Sequence, residues 1–470
     1  MGVLRGVKPE RVFYFFEEMC AIPHGSGNTK AISDYCVKFA KEQGLWYNQD
    51  NLNNIIIKKS ASKGYEDHPA VIIQGHLDMV CEKEPGLDFD FEKDGLKLKL
   101  EGDILSASGT TLGGDDGIAI AFALAVLEDK TLFHPKIEAL FTVDEETGMF
   151  GAEGFDQTLL EGKSLINIDS GDEGVFTVGC AGGARADISL KLEKCKITSP
   201  VYEVKIGGLR GGHSGVEIDK GRLNANKHMG ELLSKIPGEL NLISLSGGEK
   251  DNVIPSSCKA LVATSANLTE IAESFKTKAV ISTDPDLWVE VTPTTATAGY
   301  SYETSKKAIE LITSLPNGII AMSEEIEGLV QTSLNLGVME VNNDVLNLSF
   351  AVRSSVNAEK LELLERLHNI ANEFGAKYNS HSHYPAWEYK KDSPLREKMI
   401  KAFKKCYGKE PVIEAIHAGL ECGLFCDKIP GLDAVSFGPN LFEIHTCREH
   451  LSVSSVERSY DLLVEVLKSL

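Results

Sequence analysis

The sequence predicts an α/β protein with a central mixed, mostly parallel sheet, helices on both of its faces, and an inserted α+β domain. Short β-branched runs that stop at acidic or histidine residues, such as 71–75 before His76, are typical of the buried strands of such a sheet. An apolar run at 118–127 predicts a helix between two of these strands. Clustered acidic and histidine residues become rarer from Ala184 to about Ala386, where predicted strands alternate with predicted helices. This change in the sequence pattern predicts the insertion.

The length of 470 residues corresponds to about three domain-sized units of roughly 150 residues each. We therefore expect a first domain built from two separate parts, residues 1–183 and 387–470, with a second domain inserted at 184–386. Two strand–helix–strand passages inside the insertion, 201–262 and 346–374, suggest that it contains two related halves.

The composition argues against several classes of partner. With 48 Lys and Arg against 69 Asp and Glu, the net charge of −21 opposes a phosphate backbone, so we expect no nucleic acid partner. No apolar stretch approaches the ~18 residues that span a bilayer, and the N-terminus shows no targeting signal, so we expect no membrane contact. Ten dispersed cysteines without a Cys-x-x-Cys pair predict reduced thiols and a cytoplasmic location; those expected in the core are Cys20, Cys36, Cys81 and Cys180.

The remaining elements follow from the same periodicities. Residues 9–43 predict two amphipathic helices around a break at 23–28, where His24 is expected to be a turn or surface residue. Further strands are predicted at 53–58, 96–100, 137–143, 165–168, 186–192, 202–206, 412–416 and 434–437. Further helices are predicted at 221–236, 394–407 and 456–470.

Four strand or helix ends carry side chains of the types that bind metals. They are His76 with Asp78, Asp115 with Asp116, Glu145 with Glu146, and Asp169. Ligand sites of open α/β sheets lie beyond the carboxyl ends of the strands, so these residues are predicted to converge there. Two cations about 3.5–4 Å apart need a carboxylate that can bridge them. Asp115, which lies between glycines at a helix start, is the natural bridge of such a two-metal site.

Each of these residues also has a purely structural explanation. Asp115 and Asp116 are typical helix N-caps, and acidic residues at a strand end are often a solvated edge. Adjacent Glu145 and Glu146 point in different directions, which allows one to bind a metal while the other acts on water. The sequence lacks an HExxH motif, a GxSxG motif and a complete phosphate loop, so these other chemistries are not indicated.

The series of motifs resembles that of a known family. It consists of His-Leu-Asp at 76–78, Gly-Asp-Asp-Gly at 114–117, Asp-Glu-Glu-Thr-Gly at 144–148, Asp169, and Gly-Gly-His-Ser-Gly at 211–215. This order is similar to that of the two-metal, co-catalytic zinc peptidase family that includes carboxypeptidase G and carnosinase. Within that family, the segments 208–215, 224–227 and 417–424 resemble the bacterial aminoacyl-histidine dipeptidase branch.

The resemblance implies that the two-part domain is catalytic and that the insertion is a lid. It implies two Zn²⁺ per chain, for which Mn²⁺ or Co²⁺ can substitute. His76 and Asp169 would hold one cation, Glu146 and His445 would hold the other, and Asp115 would bridge both.

Further roles come with the same resemblance. Glu145 would be the general base, Asp78 would orient a ligand, and His213 in the insertion would stabilise the tetrahedral oxyanion. His445 departs from the His-Ser-Pro pattern usual in this branch, so His450 competes with it for the ligand role. A plain turn between glycines is the alternative explanation for His213.

Substrate contacts are also implied. Arg353 suits a substrate carboxylate because its planar fork binds two oxygens at once, although a surface position at a strand edge is the alternative. Asn252, Gly419 and Glu421 are the other implied contacts. The implied activity is metal-dependent hydrolysis of the peptide bond of dipeptides, including Xaa-His dipeptides such as carnosine. The partner would be a small peptide, and a homodimer is compatible with the family.

Two other functions stay open at this stage. An N-acyl amino acid deacylase of the same metal class would use the same ligands on a different substrate. A non-catalytic, metal-containing interaction protein would also keep them, although the presence of Glu145 together with the ligand set argues against it.

Overall fold

The computed structural model describes residues 2–470, and these residues form two compact units. The first unit extends to Gly179 and includes Tyr389–Ala415 and Glu421–Leu470. The second unit comprises Cys180–Glu388 and Ile416–Leu420. The domain boundaries expected from the sequence stay a prediction, because compactness alone does not show that a unit folds independently.

The first unit contains a mixed sheet, which in the described residues has eight strands. Their order is Trp46–Gln49, Ile55–Lys59, Ile137–Thr142, Val71–His76, Ser164–Asn167, Asp433–Ser436, Val175–Cys180 and Val412–Ile416. The strands from Ile137–Thr142 to Asp433–Ser436 in this order run parallel to one another. Parallel neighbours end at the same edge of a sheet, so the residues that follow them lie close together.

Burial explains the continuous apolar runs of these parallel strands. Every residue of Val71–His76 and of Ile137–Thr142 is buried, as expected when both faces of a sheet are covered. The helix Gly114–Glu128 is apolar all round over residues 118–127, and all of these residues are buried. This helix is therefore a core element, and tight packing fixes the position of its N-terminal end.

The other helices of the first unit surround this core. They are Glu10–Cys20, Lys30–Gln43, Phe150–Gly154, Pro394–Tyr407, Glu421–Lys428 and Val453–Ser469, with a 3₁₀ turn at Gln157–Leu159. A small antiparallel sheet joins Leu441–Phe442, His450–Ser452, Ile104–Ala107 and Leu98–Glu101 in that order. This small sheet holds the chain on both sides of His445. The predicted α/β class with a mixed sheet is confirmed.

The second unit is built on one antiparallel sheet. Its strands are, in order, Trp288–Thr294, Val201–Gly207, Cys258–Thr264, Leu240–Gly247, Val330–Asn342, Val345–Ser354, Gly182–Lys191 and Lys377–Tyr384, with Gly318–Met322 paired to Val330–Asn342. Its helices are Ala225–Ser234, Leu268–Ala279, Tyr302–Ser314 and Asn357–Glu373, with a 3₁₀ turn at Ile218–Lys220. Two short pairs join Lys194–Lys196 to Ala298–Tyr300 and Gly212–His213 to Val253–Ile254. This is the α+β architecture predicted for the insertion, while a repeat within it stays a prediction.

Two local predictions are wrong. The helix predicted at 221–236 begins only at Ala225, because Gly221 is left-handed (φ +63) and the Asn224 side chain caps the helix by accepting the Lys227 N–H. His24 is buried rather than a surface residue, and its Nδ1 lies 2.6 Å from the carbonyl oxygen of Ile22.

The burial of the cysteines and the length of the helices relate to the predictions of reduced thiols and of no membrane contact. Cys20, Cys36 and Cys180 are buried thiols as expected, whereas Cys81 is exposed. None of the helices in residues 2–470 is long and apolar enough to cross a bilayer. The cytoplasmic location and the expected lack of nucleic acid and membrane partners stay predictions.

Candidate metal centre and active site

The candidate metal centre lies at the carboxyl edge of the parallel strands of the first unit. His76 is the last residue of its strand, while Glu145, Glu146 and Asp169 each follow the end of a neighbouring strand. The strand ends lie side by side, so the structure brings these side chains together.

Asp115 lies between two histidines. Its Oδ1 is 3.1 Å from His76 Nε2, and its Oδ2 is 3.2 Å from His445 Nε2. His445 Nε2 is also 2.9 Å from Glu146 Oε1, and His76 Nε2 is 4.0 Å from Asp169 Oδ1. The two oxygens of one carboxylate thus face two separate sets of ligand-type atoms, which is what a bridging ligand requires.

These atoms fit a pair of divalent cations. Candidate ligand atoms lie within 4.8 Å of one another in three groups: Asp115 with Glu146 and His445, His76 with Asp116 and Asp169, and His76 with Glu145 and Glu146. Imidazole nitrogens and carboxylate oxygens are donors that suit Zn²⁺, Mn²⁺ and Co²⁺. Several carboxylates packed together repel one another unless positive charge lies among them.

The alternative that Asp115 and Asp116 cap a helix is wrong. Both residues have non-helical backbone angles where the helix begins, and the Asp115 carboxylate faces His76 and His445 instead of the helix backbone. Asp116 is 1% exposed, and its Oδ2 accepts the N–H of His76 at 3.1 Å. A Cβ on Gly75 would lie 2.6 Å from this oxygen, so glycine leaves the room that Asp116 needs. The family resemblance implies no ligand role for Asp116, whereas tertiary packing places Asp116 next to His76.

Asp78 connects the imidazole of His76 to the two glutamates. His76 Nδ1 lies 2.9 Å from the backbone carbonyl oxygen of Asp78 and 3.5 Å from its Oδ1. The carbonyl is therefore the nearer partner, although the sequence predicts the carboxylate. The carboxylate accepts hydrogen bonds from Ser26 Oγ at 2.8 Å and from the backbone N–H groups of Glu145 and Glu146 at 3.1 and 3.4 Å.

His445, and not the competing His450, reaches this centre. His445 is in a left-handed turn conformation (φ +63), and its side chain is 51% exposed. His450 instead places its Nδ1 2.8 Å from the carbonyl oxygen of Arg448 and stacks on Phe442. The half-exposed position of His445 keeps the centre in contact with solvent.

The charged groups of the centre shift one another's pKa. Burial raises the pKa of Glu145 to about 8, and neighbouring carboxylates add to this rise. Hydrogen bonds to Asp115 and then to Glu146 raise the pKa of His445 to about 10. Burial lowers the pKa of His76, but its carboxylate partners outweigh this effect and hold the pKa well above its ordinary value. The cluster therefore favours added positive charge, whether protons or cations.

Glu421 lies in the core of the first unit. It is 0% exposed, and its Oε2 accepts hydrogen bonds from Gln74 Nε2 at 2.6 Å and from Thr142 Oγ1 at 2.7 Å. Burial raises its pKa to about 7. The predicted substrate contact of Glu421 is therefore corrected, because a fully buried carboxylate offers a substrate no accessible atom.

A second polar cluster surrounds Arg353 in the second unit. Arg353 is 7% exposed and lies in a strand that is paired on both sides, so it is not a surface residue at a strand edge. Its Nη1 donates to Tyr384 Oη at 3.2 Å, and its Nε has no hydrogen-bond partner among residues 2–470. Burial and then Arg353 lower the pKa of His213, and they lower the pKa of His417 to about 4.

His213 is held in one ring orientation. Its Nδ1 accepts the backbone N–H groups of Gly215 and Val216, both at 3.2 Å. A ring nitrogen that accepts is unprotonated, so the neutral imidazole carries its proton on Nε2 and offers a donor there. Both contacts are local to the turn, so the role of His213 in stabilising an oxyanion stays a prediction.

Asn252 and Gly419, two further predicted substrate contacts, belong to the same unit. The backbone carbonyl of Asn252 accepts the N–H of Ser214 at 2.9 Å. Gly419 lies in the segment Ile416–Leu420, which Ala181 holds by donating its N–H to carbonyl oxygens of that segment at 3.0 and 3.1 Å. The contacts of both residues with a substrate stay predictions.

A cluster of histidine and carboxylate ligands at the strand ends of a mixed sheet, in a chain with an inserted antiparallel domain, is typical of a metal-dependent hydrolase. Residues 72–469 match the sequence family described as peptidase family M20/M25/M40. The chain belongs to this family, and it is a hydrolase, as the sequence predicts.

Relatives align with this chain over nearly its whole length. The cytosol non-specific dipeptidase of Escherichia coli (strain K12) is 35% identical over 483 aligned residues, which cover 100% of this chain and 99% of that protein. The crystal structure of aminoacylhistidine dipeptidase from Vibrio alginolyticus has a TM-score of 0.94 at 34% identity, with 99% and 98% of the two chains covered. The aminopeptidase PepT of Bacillus cereus shares the fold, with a TM-score of 0.57 at 17% identity and coverage of 98% and 99%. The predicted family and fold class are therefore confirmed.

Proposed function

We propose that this chain is a dipeptidase that hydrolyses small peptides with the help of two divalent cations. The observation that carries the proposal is Asp115, whose two oxygens face His76 and His445 separately. Similarity over nearly the whole chain to a non-specific dipeptidase and to an aminoacylhistidine dipeptidase supports the substrate class. The expected substrates include Xaa-His dipeptides such as carnosine.

The ligand set is proposed to lie entirely in the first unit. His76 and Asp169 would hold one cation, Glu146 and His445 would hold the other, and Asp115 would bridge both. Zn²⁺ is the proposed metal, and Mn²⁺ or Co²⁺ would substitute because they accept the same nitrogen and oxygen donors. When bound, such a pair of cations polarises a carbonyl group and makes water acidic enough to ionise near neutral pH.

Glu145 is the proposed general base. Its backbone N–H is held by Asp78, and burial raises its pKa to about 8. Cations bound beside Glu145 would favour its ionised form, which can accept a proton from water. Glu145 would therefore take the proton of the attacking water and deliver it to the amine that leaves.

His213 and Arg353 are the proposed substrate-binding groups of the second unit. The Nε2–H of His213 is a neutral donor that suits the negative charge developing on the carbonyl oxygen. The guanidinium of Arg353 would bind a C-terminal carboxylate of the substrate, because its planar fork matches two carboxylate oxygens. Asn252 would contact the substrate backbone. Recognition of a free C-terminus would restrict the enzyme to short peptides.

A panel of dipeptides, assayed after metal removal and reconstitution with Zn²⁺, Mn²⁺ or Co²⁺, tests this function. The panel pairs each dipeptide with its C-terminal amide and with the matching acetylated amino acid. We expect metal-dependent hydrolysis of the free dipeptides and loss of this activity with EDTA. Faster hydrolysis of acetylated amino acids would instead support the deacylase, and no hydrolysis with both cations bound would support the non-catalytic alternative.

Small peptides are thus the proposed partners of this chain. The homodimer and the cytoplasmic location stay predictions. Light scattering of the purified protein and fractionation of cells that express it test these two predictions.

A further inference from the structure

The carboxylate of Glu449 is buried against the backbone of the segment 112–115. Glu449 is 3% exposed, and its Oε2 accepts the N–H groups of Leu112 and Gly113 at 2.8 and 3.1 Å. Its Oε1 accepts the N–H groups of Gly114 and Asp115 at 2.8 and 3.3 Å. Every amide of this segment therefore donates to one side chain.

The segment 112–115 is shaped to receive this carboxylate. Gly113 is left-handed (φ +67), a conformation that turns successive N–H groups toward one point. A Cβ on Gly114 would lie 3.2 Å from Glu449 Oε1 and 2.6 Å from Leu441 Cδ2. Glycine at this position allows the backbone to approach Glu449 closely. The segment ends at Asp115, so the same hydrogen bonds fix where the Asp115 side chain begins.

Glu449 is also attached to the turn that carries His445. Its own N–H donates to the carbonyl oxygen of Thr446 at 3.0 Å, which closes the turn directly after His445. The next residue, His450, begins the strand His450–Ser452 of the small sheet, which is paired on both sides. One side chain thus joins the backbone before Asp115 to the turn after His445.

We propose that Glu449 is a positioning residue that sets the separation between Asp115 and His445. This inference rests on the proposed metal centre, in which these two residues share the second cation. Glu449 itself contacts backbone amides rather than the cluster of ligand atoms. It would therefore act through the geometry of Asp115 and His445, and not as a ligand or as a base.

Titration of the metal-free protein with Co²⁺ tests this inference, because the visible absorption of Co²⁺ reports the geometry of its ligands. We expect the wild-type protein to bind two Co²⁺ per chain. Glu449→Gln keeps the size of the side chain but places an NH₂ group against backbone donors, so it breaks half of the contact. We expect this variant to bind one of the two ions about 10–100-fold more weakly, which is the usual loss when a residue that orients a metal ligand is replaced. We also expect an altered Co²⁺ spectrum.

Glu138→Gln is the matched control. Glu138 is a 0% exposed glutamate of the same unit, and its Oε2 accepts the backbone N–H groups of Glu161 and Gly162 at 2.8 and 2.9 Å. The segment it holds carries none of the proposed ligands. We expect Glu138→Gln to lower thermal stability while both Co²⁺ affinities and the spectrum stay those of the wild type.

A second variant, Glu449→Asp, keeps the charge but shortens the side chain, and we expect it to weaken the same binding step to a smaller extent. If Glu449→Gln does not fold, Glu449→Asp tests the inference in its place. Unchanged Co²⁺ affinities and spectra in the folded Glu449 variants, beside a wild type that binds two ions, would overturn this inference alone. A wild type that binds no Co²⁺ would overturn the proposed metal centre as well.

Discussion

Two histidine clusters of this protein, one in each unit, have pKa values that are shifted in opposite directions. In the first unit, carboxylate partners hold the pKa of His76 well above its ordinary value and raise that of His445 to about 10. In the second unit, burial and the charge of Arg353 lower the pKa of His213, and they lower that of His417 to about 4. The first cluster therefore attracts positive charge, and the second attracts negative charge.

This difference teaches that the chemistry of a histidine is set by its neighbours. In the first unit, carboxylates surround the imidazoles and make them suitable ligands once cations replace protons. In the second unit, burial and then the Arg353 guanidinium favour neutral imidazoles, which can donate a hydrogen bond without carrying charge.

The largest expected effect concerns the base of the first cluster. Glu145→Gln removes the group proposed to carry the proton but none of the proposed ligands. We expect kcat to fall about 10²–10⁴-fold, the usual contribution of general acid–base catalysis, while two metal ions stay bound. Steady-state kinetics and metal analysis measure both quantities. Glu153→Gln, at a nearby exposed position, is the control, and a retained rate in Glu145→Gln would show that another group accepts the proton.

The next effect concerns the charge of the second cluster. Arg353→Met keeps the length of the side chain but removes the proposed carboxylate partner. We expect kcat/KM for free dipeptides to fall. The loss of transition-state stabilisation calculated from this fall should be about 2–5 kcal/mol, the cost of losing one member of a buried charge pair. Dipeptide amides, which lack the carboxylate, should lose much less. Arg366→Met, at an exposed helix position of the same unit, is the control, and equal losses on both substrates would remove Arg353 from carboxylate binding.

A smaller effect concerns the stability of the second unit in acid. The folded pKa of His417 is about 4, against an ordinary value of 6.5, so the unfolded chain binds the proton more tightly. The stability that this group contributes is present above pH ~6.5 and is lost as the pH falls toward 4, by about 3 kcal/mol at most. Hydrogen exchange of the strand Val330–Asn342 at several pH values measures it. His417→Asn should flatten the profile, and an unchanged profile would contradict the assignment.

The smallest expected effect is a slope of opposite sign in the first unit. The folded pKa of Glu421 is about 7, against an ordinary value of 4.5, so the folded chain binds the proton more tightly. Its contribution to stability is present below pH ~4.5 and is lost as the pH rises through 7. We expect Glu421→Gln, with EDTA present, to lose less stability than the wild type between pH 5 and pH 8. Urea unfolding at both pH values tests this expectation, and parallel profiles would contradict it.

Periodic elements of this protein are predictable because their signals are local. The predicted helix 394–407 and strand 412–416 have the bounds that the structure shows. The last helix begins at Val453 rather than at 456, because Ser452 caps it by accepting the N–H of Ser455. Such a cap moves a helix end by a few residues without changing the fold.

The sequence by itself determines the α/β class, the family, and the placement of His76, Glu145, Glu146 and Asp169 at strand ends, because an apolar run and its end are local features. Only the tertiary structure decides which atoms meet. It brings Asp115 between two histidines, makes the carbonyl of Asp78 the nearer partner of His76, and buries Glu421 completely.

Contacts between distant segments account for this limit. Glu449 and Leu112 are 337 residues apart in the chain, yet they form a hydrogen bond of 2.8 Å. The sequence around either residue does not indicate the other as its hydrogen-bond partner, because this contact depends on how separate elements pack. The sequence supplies the chemical groups of the candidate site, and packing of the core decides their distances and their pKa values.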